Sequence, residues 1–299
     1  MTQPTFTIIT PNLNNGPYLE RAICSVLDQG YPQVEHIVVD GGSQDESLQI
    51  IQRYADELAG WASAPDTGPA EAINHALASA AGDIIAILPS DDLLLPHALD
   101  EVAARFAAAP EARWVVGDCV NLSPHDQELG RTQAVAPPSL LGFLAHDTGV
   151  LPRSACFYRR ELVTGRRGFA TAYRYAFDYD LHARLIADGA RPTLAGTALA
   201  ARHEAAATRS IREVLRQGRE FIEVAARHAH HLSRREQAQL ARSCDERRCI
   251  YTLAEAEARH DDARRMLWQQ LLRHPWWLGY GHYRRMLLSR QGQARQRAA

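Results

Sequence analysis

Short apolar runs that end in acidic side chains recur in the first half of the sequence, and their chemistry points to a bound ligand. In IIAILPSDDLLL, residues 84 to 95, the aliphatic run delivers Ser90, Asp91 and Asp92. Adjacent carboxylates beside a buried strand need a partner, and a divalent metal that bridges to phosphate oxygens is the simplest one. The same residues also suit a plain turn before a helix, because Asp favours turns and Pro96 suits a first helical turn.

Further acids stand at comparable places. Asp40 ends the run VEHIVVD, Asp66 lies in the turn PDTGP, and Asp118 follows a later apolar run. The carboxyl ends of parallel strands share one edge of a sheet, where an open α/β fold binds its ligand. Carboxylates gathered there repel one another unless cations and hydroxyl groups are bound among them. We therefore predict a nucleotide site in which carboxylates hold base and ribose and a metal holds the diphosphate.

Several common binding motifs are missing. No G-x-G-x-x-G follows the first apolar run and no G-x-x-x-x-G-K-[ST] occurs, which removes the usual dinucleotide and P-loop explanations. The chain contains no lysine, so a lysine base or Schiff base is excluded. The formal net charge of -2 argues against a protein that binds nucleic acid by bulk electrostatics.

Alternating strand and helix patterns position these acids. Strands are predicted at residues 5–10, 34–40, 61–64, from 84 and at 113–120, and helices at 17–29, 46–56, 70–80 and 96–108. This order implies an α/β fold with a doubly wound, mostly parallel sheet. Residues 123–139 are expected to form an exposed loop, and 151–160 and 191–200 read as further strands.

The following region offers a general base. Asp178 shares a helix face with Leu181 and Leu185, so its carboxylate should point towards the sheet. Asp180 stands four residues before Arg184 and is expected to form a surface ion pair. His203 follows a strand, and the sequence leaves open whether it is an ordinary satisfied histidine or a ligand.

Beyond residue 209 the pattern is helical, with arginine-rich segments at 209–228, 233–259 and 261–272. Residues 267–288 mix tryptophans and tyrosines with arginines, which suits a membrane interface as well as a helix packed on a neighbouring domain or a second protomer. No signal peptide or membrane span is expected. The five cysteines are widely spaced, which fits reduced thiols in a cytoplasmic protein. They are Cys24, Cys119, Cys156, Cys244 and Cys249.

Taken in order, these residues resemble the family 2 glycosyltransferases of the GT-A fold. The matching pieces are Thr10-Pro11-Asn12, Val38-Val39-Asp40-Gly41-Gly42-Ser43, Asp66 with Gly68, Ser90-Asp91-Asp92 and Asp178-Tyr179-Asp180-Leu181. The resemblance covers about residues 5 to 210. It implies a GT-A domain at 1–208, with a nucleotide-binding half at 1–122 and an acceptor-binding half at 123–208, followed by a helical region at 209–299.

The resemblance also implies residue roles. Asp178 falls at the position of the catalytic base, Asp91 at that of the ribose ligand, and Asp92 at that of the ligand for Mg²⁺ or Mn²⁺. His203 falls where some members add a contact to metal or diphosphate. The other implied nucleotide contacts are Thr10, Pro11, Asn12, Asp40, Gly41, Asp66 and Gly68. The family often has Glu immediately before the base; this chain has Phe177, which leaves Asp180 as a second candidate base.

The implied activity is a metal-dependent, inverting and non-processive sugar transfer from a nucleotide-diphosphate sugar, in the first place a UDP-sugar. A glycan or lipid-linked acceptor, a role in cell-surface polysaccharide or glycolipid assembly, and a cytoplasmic location, with the inner face of the membrane as an option, belong to the same expectation. Contact with a membrane or a second protomer through the C-terminal helices stays open. Two alternatives remain: a non-catalytic scaffold of a glycan assembly complex, and a sugar-nucleotide pyrophosphorylase, whose glycine-rich basic first loop is missing here.

Overall fold

A computed structural model of the chain describes residues 3–146, 151–165, 168–203, 211–258, 263–281 and 284. The chain forms two compact units. The first comprises Met1–Leu140 and Thr148–Ala206, and the second comprises Leu141–Asp147 and Ala207–Ala299.

The first unit begins with a parallel β/α arrangement. Its strands are β1 (Phe6–Asn12), β2 (Val34–Asp40), β3 (Gly60–Ser63) and β4 (Ile84–Ile87), and its helices are α1 (Gly16–Leu27), α2 (Ser47–Arg53) and α3 (Pro69–Ser79). β1 pairs in parallel with β2 and β4, and β2 pairs in parallel with β3. The predicted strand and helix order of this half is therefore present in the structure.

The sheet continues with strands of mixed direction. The elements are β5 (Asp92–Leu94), α4 (Ala98–Ala108), β6 (Trp114–Leu122), β7 (Glu128–Thr132), α5 (Leu140–Leu144), β8 (Cys156–Arg159), α6 (Phe177–Ala187) and β9 (Thr193–His203). The nine-stranded sheet has the order β3-β2-β1-β4-β8-β6-β9-β5, with β7 paired to β6. β8 runs antiparallel to β4 and β6, and β5 runs antiparallel to β9. The fold is thus α/β, with a mostly parallel central sheet formed by its first strands.

Two apolar clusters pack on one face of the sheet, and Ile9, Ile37 and Ile85 are buried on the opposite face. One core cluster joins β1, β4, β6 and β8 to α4, and includes Phe6, Ile84, Phe106, Val115 and Phe157. A smaller one packs α1 and α2 on β2 through Leu19, Ile23, Val38, Ile50 and Ile51. Because the central strands are buried on both faces, they read as continuous aliphatic runs, and burial of this apolar area is the main favourable contribution to folding.

Some local predictions differ from the structure. Residues 128–132 form β7 inside the stretch expected to be an exposed loop, and Asp92 begins the short strand β5. Asp118 lies inside β6, where its carboxylate accepts a hydrogen bond from the Ala134 amide at 2.8 Å, so it is not a strand-end acid. The strand expected over 151–160 is confined to Cys156–Arg159, because a 3₁₀ turn occupies Arg153–Ala155.

The second unit is helical. It contains α7 (Ile211–His228), α8 (Arg234–Ala258), α9 (Ala263–Arg273) and a 3₁₀ turn at Pro275–Gly279. Its core includes Cys249, Ala256, Leu267, Leu271 and Trp277. Within the described ranges, no helix combines the length and apolarity that crossing a bilayer requires.

Candidate functional site

The ends of three adjacent parallel strands converge on the carboxylate of Asp40. In the strand register, Asp40 of β2 lies opposite Asn12 of β1 and Ser63 of β3. Asn12 Nδ2 donates to Asp40 Oδ1 at 2.8 Å, and Ser63 Oγ donates to Oδ2 at 2.7 Å. The Ser43 amide and hydroxyl and the Gly42 amide donate as well. Five donors therefore surround one buried carboxylate.

These donors set the ionisation state of Asp40. Burial alone raises the pKa of the carboxyl, but the hydrogen bonds from Ser43, Ser63 and Asn12 outweigh it, and the pKa lies below its ordinary value. Asp40 thus organises the loops around the strand ends. Asn12 Oδ1 is buried beside it without a hydrogen-bond partner among the described residues.

Thr10 and Pro11 precede Asn12 on β1. The Thr10 hydroxyl is fully buried and lies 2.9 Å from His36 Nε2. Burial lowers the pKa of His36 to about 3, so its imidazole is neutral and shares one hydrogen bond with the Thr10 hydroxyl. Pro11 is half-buried opposite Val39 in the register. The Thr10 side chain therefore supports the strand ends from within, and a nucleotide contact by Thr10 or Pro11 stays a prediction.

The loop after β3 brings Asp66 against the glycines that follow Asp40. A Cβ atom at Gly41 would lie 2.9 Å from Asp66 Oδ2, so a side chain at residue 41 would displace the carboxylate. Burial and the charge of Glu71 raise the pKa of Asp66. A hydrogen bond from the Gly68 amide opposes this increase but does not cancel it. Gly68, with φ at +152°, then leads into α3. The structure thus brings Asp40, Gly41, Asp66 and Gly68 together.

Asp92 has a different environment from Asp40. It is buried where the turn after β4 enters β5, and one oxygen accepts a hydrogen bond from the Ser154 hydroxyl. Burial and the neighbouring charge of Asp91 raise the pKa of Asp92 to about 7, although Ser154, Arg153 and Arg202 oppose the increase. The negative charge of this carboxylate is therefore incompletely compensated by the protein, and a bound cation would compensate it.

Asp178 lies in the first turn of α6 and is ion-paired. Arg153 Nε donates to Asp178 Oδ2 at 2.8 Å, and the Tyr179 amide donates to Oδ1 at 2.9 Å. The Arg153 guanidinium also covers the Phe177 ring, 4.5 Å from its centroid. Burial alone raises the pKa of Asp178, but the charge and hydrogen bond of Arg153 outweigh it, so the pKa is lowered and the group is ionised at neutral pH.

One short turn connects Asp92 and Asp178. Arg153 and Ser154 are consecutive residues of the 3₁₀ turn before β8, and they bind Asp178 and Asp92 respectively. The two carboxylates come from chain segments more than eighty residues apart, yet adjacent side chains hold them. From the sequence, Arg153, Arg159 and Arg202 are equal candidates for an arginine that assists a leaving diphosphate, and no motif marks Ser154.

His203, the last residue of β9, lies beside Asp91. Its Nδ1 donates to the Asp91 carbonyl oxygen at 2.7 Å, which leaves Nε2 facing Asp126 Oδ1 at 2.8 Å and Arg21 at 3.4 Å. The Tyr18 ring packs on the imidazole at 4.9 Å. A backbone acceptor at Nδ1 is a common way to orient a metal-binding histidine. The roles of Asp126 and Arg21 were not predicted from the sequence.

The side chains near Asp92 include groups that could bind a divalent metal. The Asp91 and Asp92 carboxylates and an oriented imidazole suit Mg²⁺ or Mn²⁺ chemically. Across the part of the chain that the structure describes, however, no three His, Cys, Asp or Glu side chains are arranged as a ligand cluster. Asp92 faces Ser154, whereas the His203 ring faces Asp126. The structure is therefore compatible with Asp92 as a metal ligand. A metal bound there would need further oxygen ligands from the substrate.

The structure refines two sequence predictions, one for Asp180 in α6 and one for His203 in β9. The Asp180–Arg184 ion pair is present at 2.9 Å, but the Asp180 side chain is 2% exposed, so the pair is not on the surface. The reason is that the first turn of α6 packs inward. His203 is the end of a strand and is engaged in hydrogen bonds, rather than solvated in a loop.

Comparison with known proteins adds sequence relationships. The model of glycosyl transferase family 2 matches residues 7–175, more than half of the chain. The chain is 32% identical over 190 residues to an uncharacterized glycosyltransferase of Mycobacterium tuberculosis, a match that covers 62% of this chain and 71% of the relative. It is 33% identical over 104 residues to the poly(ribitol-phosphate) beta-N-acetylglucosaminyltransferase TarS of Staphylococcus aureus, covering 33% of this chain and 18% of TarS.

Solved structures show the same fold. S. aureus TarS 1–349 in complex with UDP-GlcNAc superposes with a TM-score of 0.61 at 18% identity, covering 81% of this chain and 72% of that one. The mannosyltransferase PcManGT of Pyrobaculum calidifontis in complex with GDP-Man and Mn²⁺ gives 0.61 at 21% identity, covering 96% and 84%. These likenesses identify the architecture as GT-A.

Proposed function

Because the chain belongs to glycosyl transferase family 2, we propose that it transfers a sugar with inversion from a nucleotide-diphosphate sugar to an acceptor hydroxyl, using a divalent metal. The observation that carries the proposal is the Arg153–Ser154 turn, which holds an ionised carboxylate, Asp178, and an undercompensated one, Asp92, with adjacent side chains. Inverting transfer needs a base on the acceptor side and charge stabilisation on the diphosphate side.

In the proposed reaction, Asp178 accepts the proton of the acceptor hydroxyl while the hydroxyl oxygen attacks the anomeric carbon. The bond from that carbon to the phosphate oxygen breaks, and its electron pair leaves with the nucleoside diphosphate. Because Arg153 keeps Asp178 ionised, the base is ready at neutral pH. A leaving diphosphate close to Arg153 would compete for the guanidinium, which would make Asp178 a stronger base as charge develops.

On the nucleotide side, the cluster of Asp40, Asn12, Gly41 and Asp66 is proposed to hold the base, and Asp91 the ribose. Asn12 Oδ1 offers an acceptor that no described residue uses. Asp92 is proposed as the principal protein ligand of Mg²⁺ or Mn²⁺; His203 would serve as a second ligand only after its Nε2 releases Asp126. When bound, the metal supplies Lewis-acid stabilisation of the departing diphosphate.

A UDP-sugar is the proposed donor and a glycan or lipid-linked hydroxyl the proposed acceptor, in assembly of cell-surface polysaccharide or glycolipid. Support comes from relatives: TarS, by its name, acts on poly(ribitol-phosphate), and its structure contains UDP-GlcNAc. PcManGT instead contains GDP-Man and Mn²⁺, so GDP-sugars belong in the same screen.

The test combines binding and turnover. Purified chain with Mn²⁺ should gain thermal stability from UDP or GDP, because a ligand of the native state stabilises it by mass action. Release of nucleoside diphosphate from the matching sugar nucleotide should be lost in Asp178→Asn, while the nucleotide-dependent stabilisation is kept. Asp188→Asn, a substitution at the other end of α6, is the matched control and should retain turnover.

Two outcomes would count against the proposal. If no nucleotide stabilised the protein and Asp178→Asn released nucleoside diphosphate as fast as wild type, the site would not perform glycosyl transfer. Formation of pyrophosphate from a nucleoside triphosphate and a sugar phosphate would instead indicate a pyrophosphorylase.

A further inference from the structure

The outward side of the last described helical segment carries large apolar side chains. α9 and the following 3₁₀ turn pack on α8 through Leu267, Leu271 and Trp277, which are buried. Four other apolar residues of the same segment are exposed by 41% to 85%, well above the buried set. These are Trp268, Leu272, Trp276 and Leu278, here called the C-terminal apolar surface.

Hydrogen bonds to α8 hold this surface in place. Asp245 Oδ2 accepts from Trp276 Nε1 at 2.7 Å, from Trp277 Nε1 at 2.9 Å and from Tyr280 Oη at 3.3 Å. On α9, Trp268 and Leu272 are four residues apart and therefore adjacent on one helix face. The exposure of these residues is thus a property of a folded helix and an anchored turn.

The charged side chains of this segment itself have one sign. From residue 263 to residue 299 the sequence contains eight arginines and no Asp or Glu. Of these arginines, Arg265, Arg273 and Arg284 are exposed in the structure. α8, by contrast, carries five acidic residues among its arginines. The C-terminal apolar surface is therefore bordered by cations that no acid of the same segment neutralises.

We propose that the C-terminal apolar surface docks on the surface of a bilayer that contains anionic phospholipid. Tryptophan and leucine side chains insert at the level of the headgroups, and arginines bind lipid phosphates, which together give stronger attachment than either alone. A second copy of the chain fits less well, because a two-fold symmetric contact would bring the same arginine-rich segment, which has no acid of its own, against itself.

The proposal concerns attachment and does not depend on glycosyl transfer, so it is tested by binding. Full-length protein is floated with phosphatidylcholine vesicles or with vesicles that also contain phosphatidylglycerol, at low and high salt. We expect flotation with the anionic vesicles and its weakening at high salt, because the arginine contribution is screened. Trp268→Ser with Leu272→Ser, and separately Arg265→Gln with Arg273→Gln, should each weaken binding about tenfold or more.

Matched controls separate this surface from general stickiness. Leu129→Ser removes an apolar side chain that is 56% exposed on β7, and Arg234→Gln with Arg235→Gln removes the same charge from the start of α8. Both should bind vesicles as wild type does. If circular dichroism shows that the Trp268/Leu272 variant is unfolded, the Arg265/Arg273 variant tests the proposal in its place.

Three results would overturn the proposal. The first is no flotation of the folded wild type with anionic vesicles. The second is equal weakening in the control variants. The third is a dimer in sedimentation velocity that Trp268→Ser dissociates, since a second copy would then cover the surface.

Discussion

Asp40 and Asp92 are two strand-end aspartates with little solvent exposure and pKa shifts of opposite sign. Their exposed fractions are 3% and 8%, so desolvation acts on both. Five hydrogen-bond donors surround Asp40 and lower its pKa, whereas Asp92 has the Ser154 hydroxyl and an acidic neighbour, and its pKa rises to about 7. Low solvent exposure alone therefore does not set the ionisation of a strand-end carboxylate. Hydrogen-bond donors lower the pKa of Asp40, whereas stronger desolvation and the charge of Asp91 raise that of Asp92.

The largest consequence of this difference should appear in the pH dependence of folding. The Asp92 pKa is about 7 in the folded chain, against an ordinary value of 3.8. Between these values the native state retains a proton that the unfolded state has lost, so stability falls as pH rises. Asp92→Asn removes the effect. In metal-free urea titrations, the unfolding free energy of wild type relative to Asp92→Asn should fall by up to about 4 kcal/mol between pH 4 and pH 8.

Mn²⁺ provides the control for that titration. At saturating Mn²⁺, the difference in unfolding free energy between wild type and Asp92→Asn should depend less on pH, because the metal binds ionised Asp92 in the native state. A metal-free difference that is independent of pH would mean that Asp92 is as well compensated as Asp40, and the contrast between the two sites would be lost.

Activity should show the next largest effect. Asp92→Asn removes the proposed principal metal ligand and is expected to lower kcat by about 10²–10³-fold, the range found when one transition-state stabilising group is removed. Its unfolding free energy at pH 8 should be equal to or higher than that of wild type, since a buried carboxylate with an unfavourable environment is gone. Steady-state release of nucleoside diphosphate and urea unfolding measure the two quantities. Loss of activity together with a large loss of stability would contradict a ligand role.

The sequence predicted those features that depend on the order of strands and helices and on short motifs at strand ends. The alternation of strands and helices predicted the parallel half of the sheet, and the family resemblance, with the GT-A fold it implies, is confirmed by the family match over residues 7–175 and by the solved structures. In the structure Asp40 ends β2, Asp66 follows β3, and Asp91-Asp92 follow β4 and enter β5.

What the sequence did not reveal depends on contacts between distant segments. Ser154 and Asp92 are sixty-two positions apart, and Arg21 meets Asp126 across one hundred and five. A single serine or arginine has no local pattern that marks such a contact, and short antiparallel strands such as β5 lack the length for a periodic signal. The burial of Asp180 was missed for the same reason, because a four-residue spacing predicts an ion pair but not which side of the helix packs inward.

The smallest effects are expected for substitutions at Asp40 and its hydrogen-bond donors, and they concern the free energy of unfolding. Asp40→Asn keeps the shape of the side chain, but its NH₂ group would face hydrogen-bond donors that a carboxylate oxygen accepts from. We therefore expect a loss of about 2–3 kcal/mol in unfolding free energy at pH 7. Ser63→Ala removes one of the five donors and should cost about 1 kcal/mol. Because the folded pKa of Asp40 is lowered, the wild-type advantage should be present at neutral pH and decline as acid protonates the group. If Asp40→Asn unfolded at the same urea concentration as wild type, the hydrogen bonds would not stabilise the strand ends, and only the proposed contact with the nucleotide base would remain as a role for Asp40.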